Sequence, residues 1–586
     1  MKLQIFASYA LMALLLLTLH AGAVWTGMTP VLNGEMPDTD TYMRLVRVQE
    51  LVEGGGWFNS TTQRMNAPYG DTLNWTRPLD VLIVAFALPL HQQLDMEWRD
   101  ALFWGGAILP PVLQLLFGLA AAWAVAPFFA PVARPLLLLF VCLQPIVFAY
   151  SFVGRPDHQT LLLIAAAMLL GFVMRAIRQH GPALRLGLWG GLWAGFGLWV
   201  STEFEFSLAL VTGTLALMWL WQGQRRLIEL LEGIAIGFLL MTFAGVLAER
   251  GMNEWSHVRE LDKISLSQLI GACIHCGLWG MTGWLCPQDA GIGRRTLALS
   301  SMGAAALFLL VLLAPELLRG PAGDIDPQVM EKFFLNIREM RSIWPNTVET
   351  FSLTLLCLGV PLLALPLWLV VYRRDVLSPW LPWLVFTLGF TAIGFMHARF
   401  AQFAAPFGAV LLMAVVVRLG ARLEGRVLLV RVVAQAGLLF LPLFFLFLAL
   451  SLLDQPPKDE ASCRIKPVSE ALNSLSRGIM LSSLNYGPEL IYFTSHDTVA
   501  GPYHRNTKGI LDSIAFFGEI SDSAAKDILR TRGIAYILAC PDSDATPETM
   551  SWKLTHGEFP AWLEPLALPE DQDFRLFQVN QAVLNN

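Results

Sequence analysis

"GRPDHQTLLLIAAAMLLGFVMRAIR", residues 154–178, sets an acid, Asp157, at the head of an apolar run that ends on Arg175 and Arg178. At about 1.5 Å per residue, roughly 20 apolar residues cross the ~30 Å hydrocarbon core of a bilayer. The stretch reads as a membrane helix with a carboxylate at one mouth and guanidinium groups at the other.

The rest of the chain is built of the same material. It has 586 residues, 55% hydrophobic and 15% charged, with a mean hydropathy of +0.54, whereas a soluble domain carries about 25% charged residues. Most of it must lie in lipid, so membrane lipids are its first partners, and no nucleic-acid partner is expected. The net charge of -6 decides little, because the placement of Lys and Arg matters more than their sum.

Apolar runs of spanning length occur thirteen times, at about 4–25, 101–126, 135–151, 159–178, 185–200, 204–222, 227–247, 267–286, 297–318, 351–371, 380–396, 401–418 and 427–452. The first also fits a cleaved signal peptide, with Ala21, Gly22 and Ala23 after its core, but its length favours a retained anchor. With the N-terminus inside, the inner loops hold Arg175, Arg178 and Arg185; Arg225 and Arg226; Arg294 and Arg295; Arg373 and Arg374; and Arg418, Arg422 and Arg426. Every one is basic, as the positive-inside rule requires. The expected fold class is a polytopic α-helical membrane protein of about thirteen transmembrane helices in residues 1–453, with long outer loops at 26–100 and 319–350. A small α/β extracytoplasmic domain is expected in 454–586, and the expected location is the inner (cytoplasmic) membrane.

This topology sends acids to one face. Asp38 and Asp40 lie in the first outer loop, Asp157 opens the fourth run, Glu349 in "WPNTVETF" opens the tenth, and Arg399 in "MHARFAQFAAP" begins the twelfth at the same level. Clustered carboxylates suit Mg²⁺ or Mn²⁺, which often share coordination with phosphate. An arginine fork suits the phosphate itself. Alone, each residue would read as a solvated loop acid or a snorkelling arginine; together they point to a site.

These residues resemble a family. "DTDTYMRLVRV" is similar to the first-loop acidic motif of the oligosaccharyltransferase catalytic subunits of bacteria, archaea and eukaryotes, "GRPDHQTLLL" to their second acidic motif, "NTVETF" to the glutamate motif of their long external loop, and "HARFAQFAAPFGAVLL" to their Arg-Phe segment. The resemblance covers about the first 450 residues and implies the GT-C class of polytopic glycosyltransferases. It implies that Asp40 binds a divalent metal ion and acts on the acceptor, with Asp38 beside it. It implies Asp157 as a further metal ligand, with Gln159 at the second ligand position where the family has Asp, Glu or His. Glu349 would engage the acceptor and Arg399 the donor phosphate. His158 would orient a ligand from behind, and Arg44, one helical turn after Asp40, would balance its charge.

Other features stay open. "NAPYGDTLNWTRPLDVLIVAFALPL", with Trp75, Arg77 and Asp80, fits either a lid near a lipid donor or a packing helix. Glu203 and Glu205 in "STEFEF" either add acids to the site or mark a tight turn. In the tail, "SAAKDILRTRGIAYILACP" reads as a helix leading into a strand. Tyr503, His504 and Arg505 in "GPYHRN" either contact the acceptor or form a structural loop. Cys463 and Cys540 can pair if the tail is exported, and Cys273, His275 and Cys276 lack a second ligand pair for a metal. The tail contains no Trp-Trp-Asp-Tyr-Gly motif, which in the family reads the glycosylation sequon.

The leading expectation is a transferase that moves a sugar or oligosaccharide from a polyprenyl-phosphate or polyprenyl-diphosphate donor to a glycan, lipid or protein acceptor on the outer face. The alternatives are a transporter or flippase with outward-facing carboxylates, or a membrane scaffold. Transporters place ionisable groups near the midplane on broken helices, often in repeated halves, and a scaffold leaves the acids unexplained.

Overall fold

The computed structural model describes residues 2–584 except 179, 288, 373–378, 425–427, 454–462, 543–544 and 570–571. Arg373, Arg374 and Arg426, expected in the basic loops, and the expected start of the tail at 454 lie outside the described residues. The membrane part runs α1 (Lys2–Trp25), α2 (Thr39–Glu50), α3 (Arg77–Gln93), α4 (Trp98–Ala124), α5 (Arg134–Cys142), α6 (Pro145–Tyr150), α7 (Gln159–Ile177), α8 (Ala183–Val200) and α9 (Glu205–Gln222). It continues with α10 (Arg225–Glu254), α11 (Leu266–Leu285), α12 (Ile292–Leu313), α13 (Pro327–Lys332), α14 (Val348–Val371), α15 (Leu381–Met396), α16 (Ala401–Arg422) and α17 (Leu428–Leu453).

Among the described residues nine helices are long and apolar enough to cross a membrane: α1, α4, α7, α9, α10, α12, α14, α16 and α17. The chain is a multi-pass membrane protein. The other four expected spans take different forms. α8 and α11 are helices of 18 and 20 residues, and α15 has 16. The run at 135–151 is broken into α5 and α6, because Pro145 drives Gln144 into extended backbone (φ −62°, ψ 128°) and cannot donate to a continuing helix.

Lipid offers no hydrophobic drive between helices, so close packing must supply it. Gly187 and Gly191 on α8 face Gly233 and Gly237 on α10, and a Cβ at any of them would run into the facing backbone. α7 and α16 lie deep in the bundle, whereas α1, α12 and α17 turn most of their surface outward.

The first loop is folded. Asp38 caps α2, accepting the Asp40 amide at 2.7 Å, and a hairpin of β1 (Thr61–Thr62) and β2 (Asp71–Thr72) leads to α3. α3 is a packing helix: it buries Leu79, Asp80, Ile83 and Ala87, and Gly105 of α4 lets the backbone at Ala87 approach.

The tail holds a five-stranded sheet ordered β4 (Asp497–Thr498), β3 (Ile479–Ser482), β5 (Ile534–Ala539), β7 (Arg575–Val579), β6 (Leu563–Leu566). β3 runs parallel to β4 and β5, and β7 antiparallel to β5 and β6. Helices Thr507–Phe517 and Asp522–Arg532 pack beside it, the second leading into β5. Cys463 and Cys540 form a disulfide across 77 residues. The sheet region docks on the first loop: Arg64 donates to the carbonyls of Ile491, Thr494 and His496 at 2.6–2.8 Å, and Tyr42 of α2 packs on Tyr492 and Phe493.

Candidate active site

Three separate segments meet at one end of the bundle, and local chemistry explains each placement. Thr41 donates to the Gly154 carbonyl at 3.3 Å, pinning the start of α2 to the loop before α7. Gly154 sits at φ +89°, and a Cβ there would run into Val31, Met36 and Pro37, a conformation and a closeness that only glycine suits. Asp157 accepts the Gln159 amide at 3.2 Å, which holds its carboxylate at the start of α7. The loop after α13 is tied by backbone to the turn between α15 and α16: Arg399 N donates to Glu339 O at 2.9 Å, Ala398 N to Arg341 O at 3.1 Å, and Ile343 N to Phe395 O at 3.1 Å. These bonds bring Glu339 and Arg399 to Asp38, Asp40 and Asp157.

Asp38, Asp40, Glu339 and Arg399 border a cavity of about 1180 Å³ that Gln159 and Glu203 also line, with Tyr503 and His504 on its tail side; Asp157 is not among its lining residues. Arg155 sits among the acids. Its Nε lies 2.9 Å from Asp38 Oδ2, one terminal nitrogen lies 3.3 Å from Glu339 Oε1 and 4.0 Å from Asp157 Oδ2, and its plane rests over Tyr150 at 4.7 Å. His158 Nδ1 is 3.0 Å from Asp157 Oδ1.

The charges are unequal. Burial pushes the Asp40 carboxyl well above the usual carboxylate range, and Asp38, Asp157 and Glu339 push it further than Arg155 can offset. Asp38 is raised by burial too, against the pull of Arg155. For Asp157, burial is outweighed by His158, Arg155 and the Gln159 amide, which leave it below the usual range. The Tyr503 phenol is raised well above its ordinary value by burial and by the neighbouring Asp40 and Asp38. Asp40 is thus a carboxylate inclined to hold a proton, next to three others.

Two expected placements are corrected. Glu349 is exposed in the first turn of α14, where an acid favours the positive end of the helix, and it does not line the cavity; Glu339, ten residues earlier, is the acid that this loop delivers. Arg44 does not face Asp40. It lies 3.1 Å from Asp80 and stacks on Trp75 at 4.0 Å. Arg399 does reach the cavity, paired with Glu203 at 3.2 Å, so Glu203 of "STEFEF" belongs to the site; Glu205 does not line it.

A divalent ion does not fit this arrangement. Gln159, expected as a ligand, is buried and its side-chain oxygen accepts from Gln402. The Arg155 guanidinium stands between the carboxylates that would converge on an ion. Among the described residues no group of three or more His, Cys, Asp or Glu side chains is arranged to hold a metal.

The tail closes the far side of the cavity. His504 Nε2 lies 2.7 Å from Asp262, and Arg505 pairs with Asp262 and with Glu260 at 2.6 Å. These contacts anchor "GPYHRN" and turn Tyr503 toward Asp40, packed edge-on against Trp75. Arg155 and Glu339 line the cavity, and motif reading singled out neither. Arg155 lies inside the quoted 154–178 stretch, where a base two residues before an acid was a usable signal. Nothing in "NIREMRSIWP" marked Glu339.

No protein-family model matches the chain, and no curated protein matches it in sequence. Solved structures do. The archaeal oligosaccharyltransferase AglB from Archaeoglobus fulgidus, in complex with an inhibitory peptide and a dolichol-phosphate, superposes with a TM-score of 0.70 at 14% identity, covering 92% of this chain and 69% of that one. A crystal structure of the A. fulgidus oligosaccharyltransferase with Zn and sulfate gives 0.60 at 13% identity, covering 86% and 64%. The chain has the fold of the GT-C glycosyltransferases.

Proposed function

We propose that this protein is a membrane glycosyltransferase that moves a sugar or oligosaccharide from a polyprenyl-phosphate or polyprenyl-diphosphate to an acceptor at the face bearing Asp40. The observation that carries the reading is the pairing, around one cavity, of the Asp40 carboxyl, which its acidic neighbours incline to take a proton, with an arginine suited to phosphate.

In the transfer, the bond from the anomeric carbon to the phosphate oxygen breaks and a bond to the acceptor forms. The acceptor proton passes to Asp40, whose raised affinity for it suits a general base. The electron pair of the broken bond leaves on the lipid phosphate. Arg399, whose Nε has no hydrogen-bond partner among the described residues, offers a charged donor for that developing anion. The neighbouring structures bear on the donor: AglB holds a dolichol-phosphate on the same fold. The acceptor is a separate matter, because the tail lacks the sequon-reading motif; a glycan, a lipid or a non-sequon protein site all suit the open cavity.

We place the site on the outer face of the inner membrane. Basic side chains gather at the opposite end of the bundle, where Arg175 stacks on Trp123 and Arg226 donates to the carbonyls of Ala176 and Gly181. The disulfide in the tail suits an oxidising compartment. Residues 1–453 would form the transferase domain and 454–586 its extracytoplasmic companion.

The test compares cells expressing the wild type and Asp40→Asn by mass spectrometry of polyprenyl phosphates and surface glycans. Activity should fall by about 10²–10⁴-fold, donor should accumulate, and one surface glycan should be missing. An unchanged lipid pool and surface would overturn the reading.

A further inference from the structure

The geometry points to Arg155 as the resident cation of this site, doing the charge balancing that a divalent ion would otherwise do, so that transfer proceeds without a metal. The inference rests on the transferase reading above. It goes beyond it by naming a positioning residue and a cofactor requirement.

Two acids remote in sequence contact Arg155, Asp38 before α2 at Nε (2.9 Å) and Glu339 after α13 at a terminal nitrogen (3.3 Å), and Asp157 before α7 lies 4.0 Å from that same nitrogen. A planar guanidinium with five N–H donors can serve several carboxylates at hydrogen-bond distance. Mg²⁺ and Mn²⁺ instead demand near-octahedral oxygens at about 2.0–2.2 Å. An ion drawing these oxygens together would have to expel Arg155, and the surroundings hold it in place: Tyr150 lies under its plane at 4.7 Å and the Ala149 carbonyl accepts from it at 3.3 Å. The backbone on which it sits is locked as well, with Gly154 N donating to Ala107 O at 3.1 Å and Asp157 N to Arg155 O at 2.8 Å.

The positions a metal would recruit are otherwise committed. Gln159 stands at the cavity wall with its side-chain oxygen taken by Gln402. His158 Nδ1 is turned to Asp157, and Arg44, which also lines the cavity, is bound to Asp80. Arg155 thereby draws Asp38, Asp157 and Glu339 toward itself and leaves Asp40 as the acid without an ion-pair partner among the described residues, free to accept the acceptor's proton.

The experiment uses the full-length protein purified in detergent after chelator treatment, with Mn²⁺ as the probe, bound ion being counted by electron paramagnetic resonance and transfer followed in parallel. Wild type should transfer equally well in chelator and in Mn²⁺ and should bind no Mn²⁺ that Asp40→Asn removes. Arg155→Ala should lose transfer in chelator, take up one Mn²⁺ per chain and regain part of its activity with the ion. Arg155→Lys keeps the charge, loses the fork, and should stay metal-independent at a lower rate, with an unfolding midpoint close to wild type. Wild type that binds one Mn²⁺ through Asp40, or that loses transfer in chelator and recovers it with Mn²⁺, would overturn the assignment. Because ion binding is read without catalysis, a protein that transfers nothing under any condition would count against the transferase reading and leave the binding result to judge Arg155.

Discussion

Two clusters of acids and arginines draw on the first loop of this protein, one buried around Asp80 and one at the cavity around Asp40, and they are built in opposite proportions. Around Asp80, one carboxylate faces Arg44 at 3.1 Å, Arg47 at 2.9 Å and Arg77 at 3.1 Å. Further guanidinium donors reach backbone carbonyls, Arg47 on Trp75 and Arg77 on Trp57 and Asn59, while Arg47 Nε and one of its terminal nitrogens make no hydrogen bond among the described residues. Around Asp40 there are four carboxylates and one contacting guanidinium. The first cluster gives its one carboxylate three cationic partners and ties α2 to α3. The second carries unspent negative charge beside a cavity, and such an unbalanced arrangement persists in a fold where function requires it.

The sharpest way to break this comparison is to neutralise each acid in turn. Asp80→Asn leaves three buried guanidiniums without their carboxylate and should cost about 3–5 kcal/mol, seen as a large drop in the thermal unfolding midpoint in detergent. Asp40→Asn should leave that midpoint unchanged or raise it, since it removes a repelled charge, while abolishing transfer. Equal destabilisation by both would erase the distinction.

Acidity sharpens it further, because the two clusters have opposite slopes. Burial works to raise the Asp80 carboxyl, but Arg47, Arg44 and Arg77 more than offset that and leave it below the usual range. Its contribution to stability is therefore present above the ordinary carboxylate pKa of about 3.9 and is lost as pH falls through the depressed folded value. Asp40 is raised, so the folded state binds its proton more tightly than the unfolded chain does. Its effect on stability is most favourable in acid and turns unfavourable as pH rises through the folded value. Transfer, which needs the carboxylate as base, should rise with pH over a range above that of an ordinary aspartate. A pH-rate profile breaking near the usual carboxylate value would remove Asp40 from the role of base.

The contrast also explains what the sequence could reveal. Most spans were legible because long apolar runs need lipid; Asp157 and Arg399 stood out because each stands where a span meets a loop, and Asp38 and Asp40 because they lie together in the first outer loop. Charge pairing was not. Arg44 sits one turn from Asp40 on the same helix, which by spacing alone reads as its partner; only the packing of α3 shows that Asp80 claims it. Glu349 marked a helix start and drew attention for that reason, whereas Glu339 lies in irregular chain whose position is set by backbone bonds to residues 395–399. The test is a matched pair: Glu339→Gln should lower transfer on the order of tenfold, the scale of one charged hydrogen bond, and Glu349→Gln should leave it near wild type. The reverse ranking in a transfer assay would return the role to Glu349.

The smallest expected effect concerns the rim of the acidic cluster. Arg399 is paired with Glu203 at 3.2 Å, and one atom of each, Arg399 Nε and Glu203 Oε2, is buried without a hydrogen-bond partner among the described residues. A donor phosphate reaching Arg399 must compete with that carboxylate. Glu203→Gln weakens the competitor, so the KM for donor should fall by about two- to fivefold, the range of a partly exposed ion pair, with kcat little changed. Arg399→Lys removes the fork and should raise the same KM, by more, since a point charge cannot replace bidentate contact with phosphate. Opposite shifts from the two partners would mark Glu203 as a stand-in for the donor anion. Parallel losses would mean that the pair is structural, and that the Asp80 pattern of satisfied charge extends to this edge of the cavity as well.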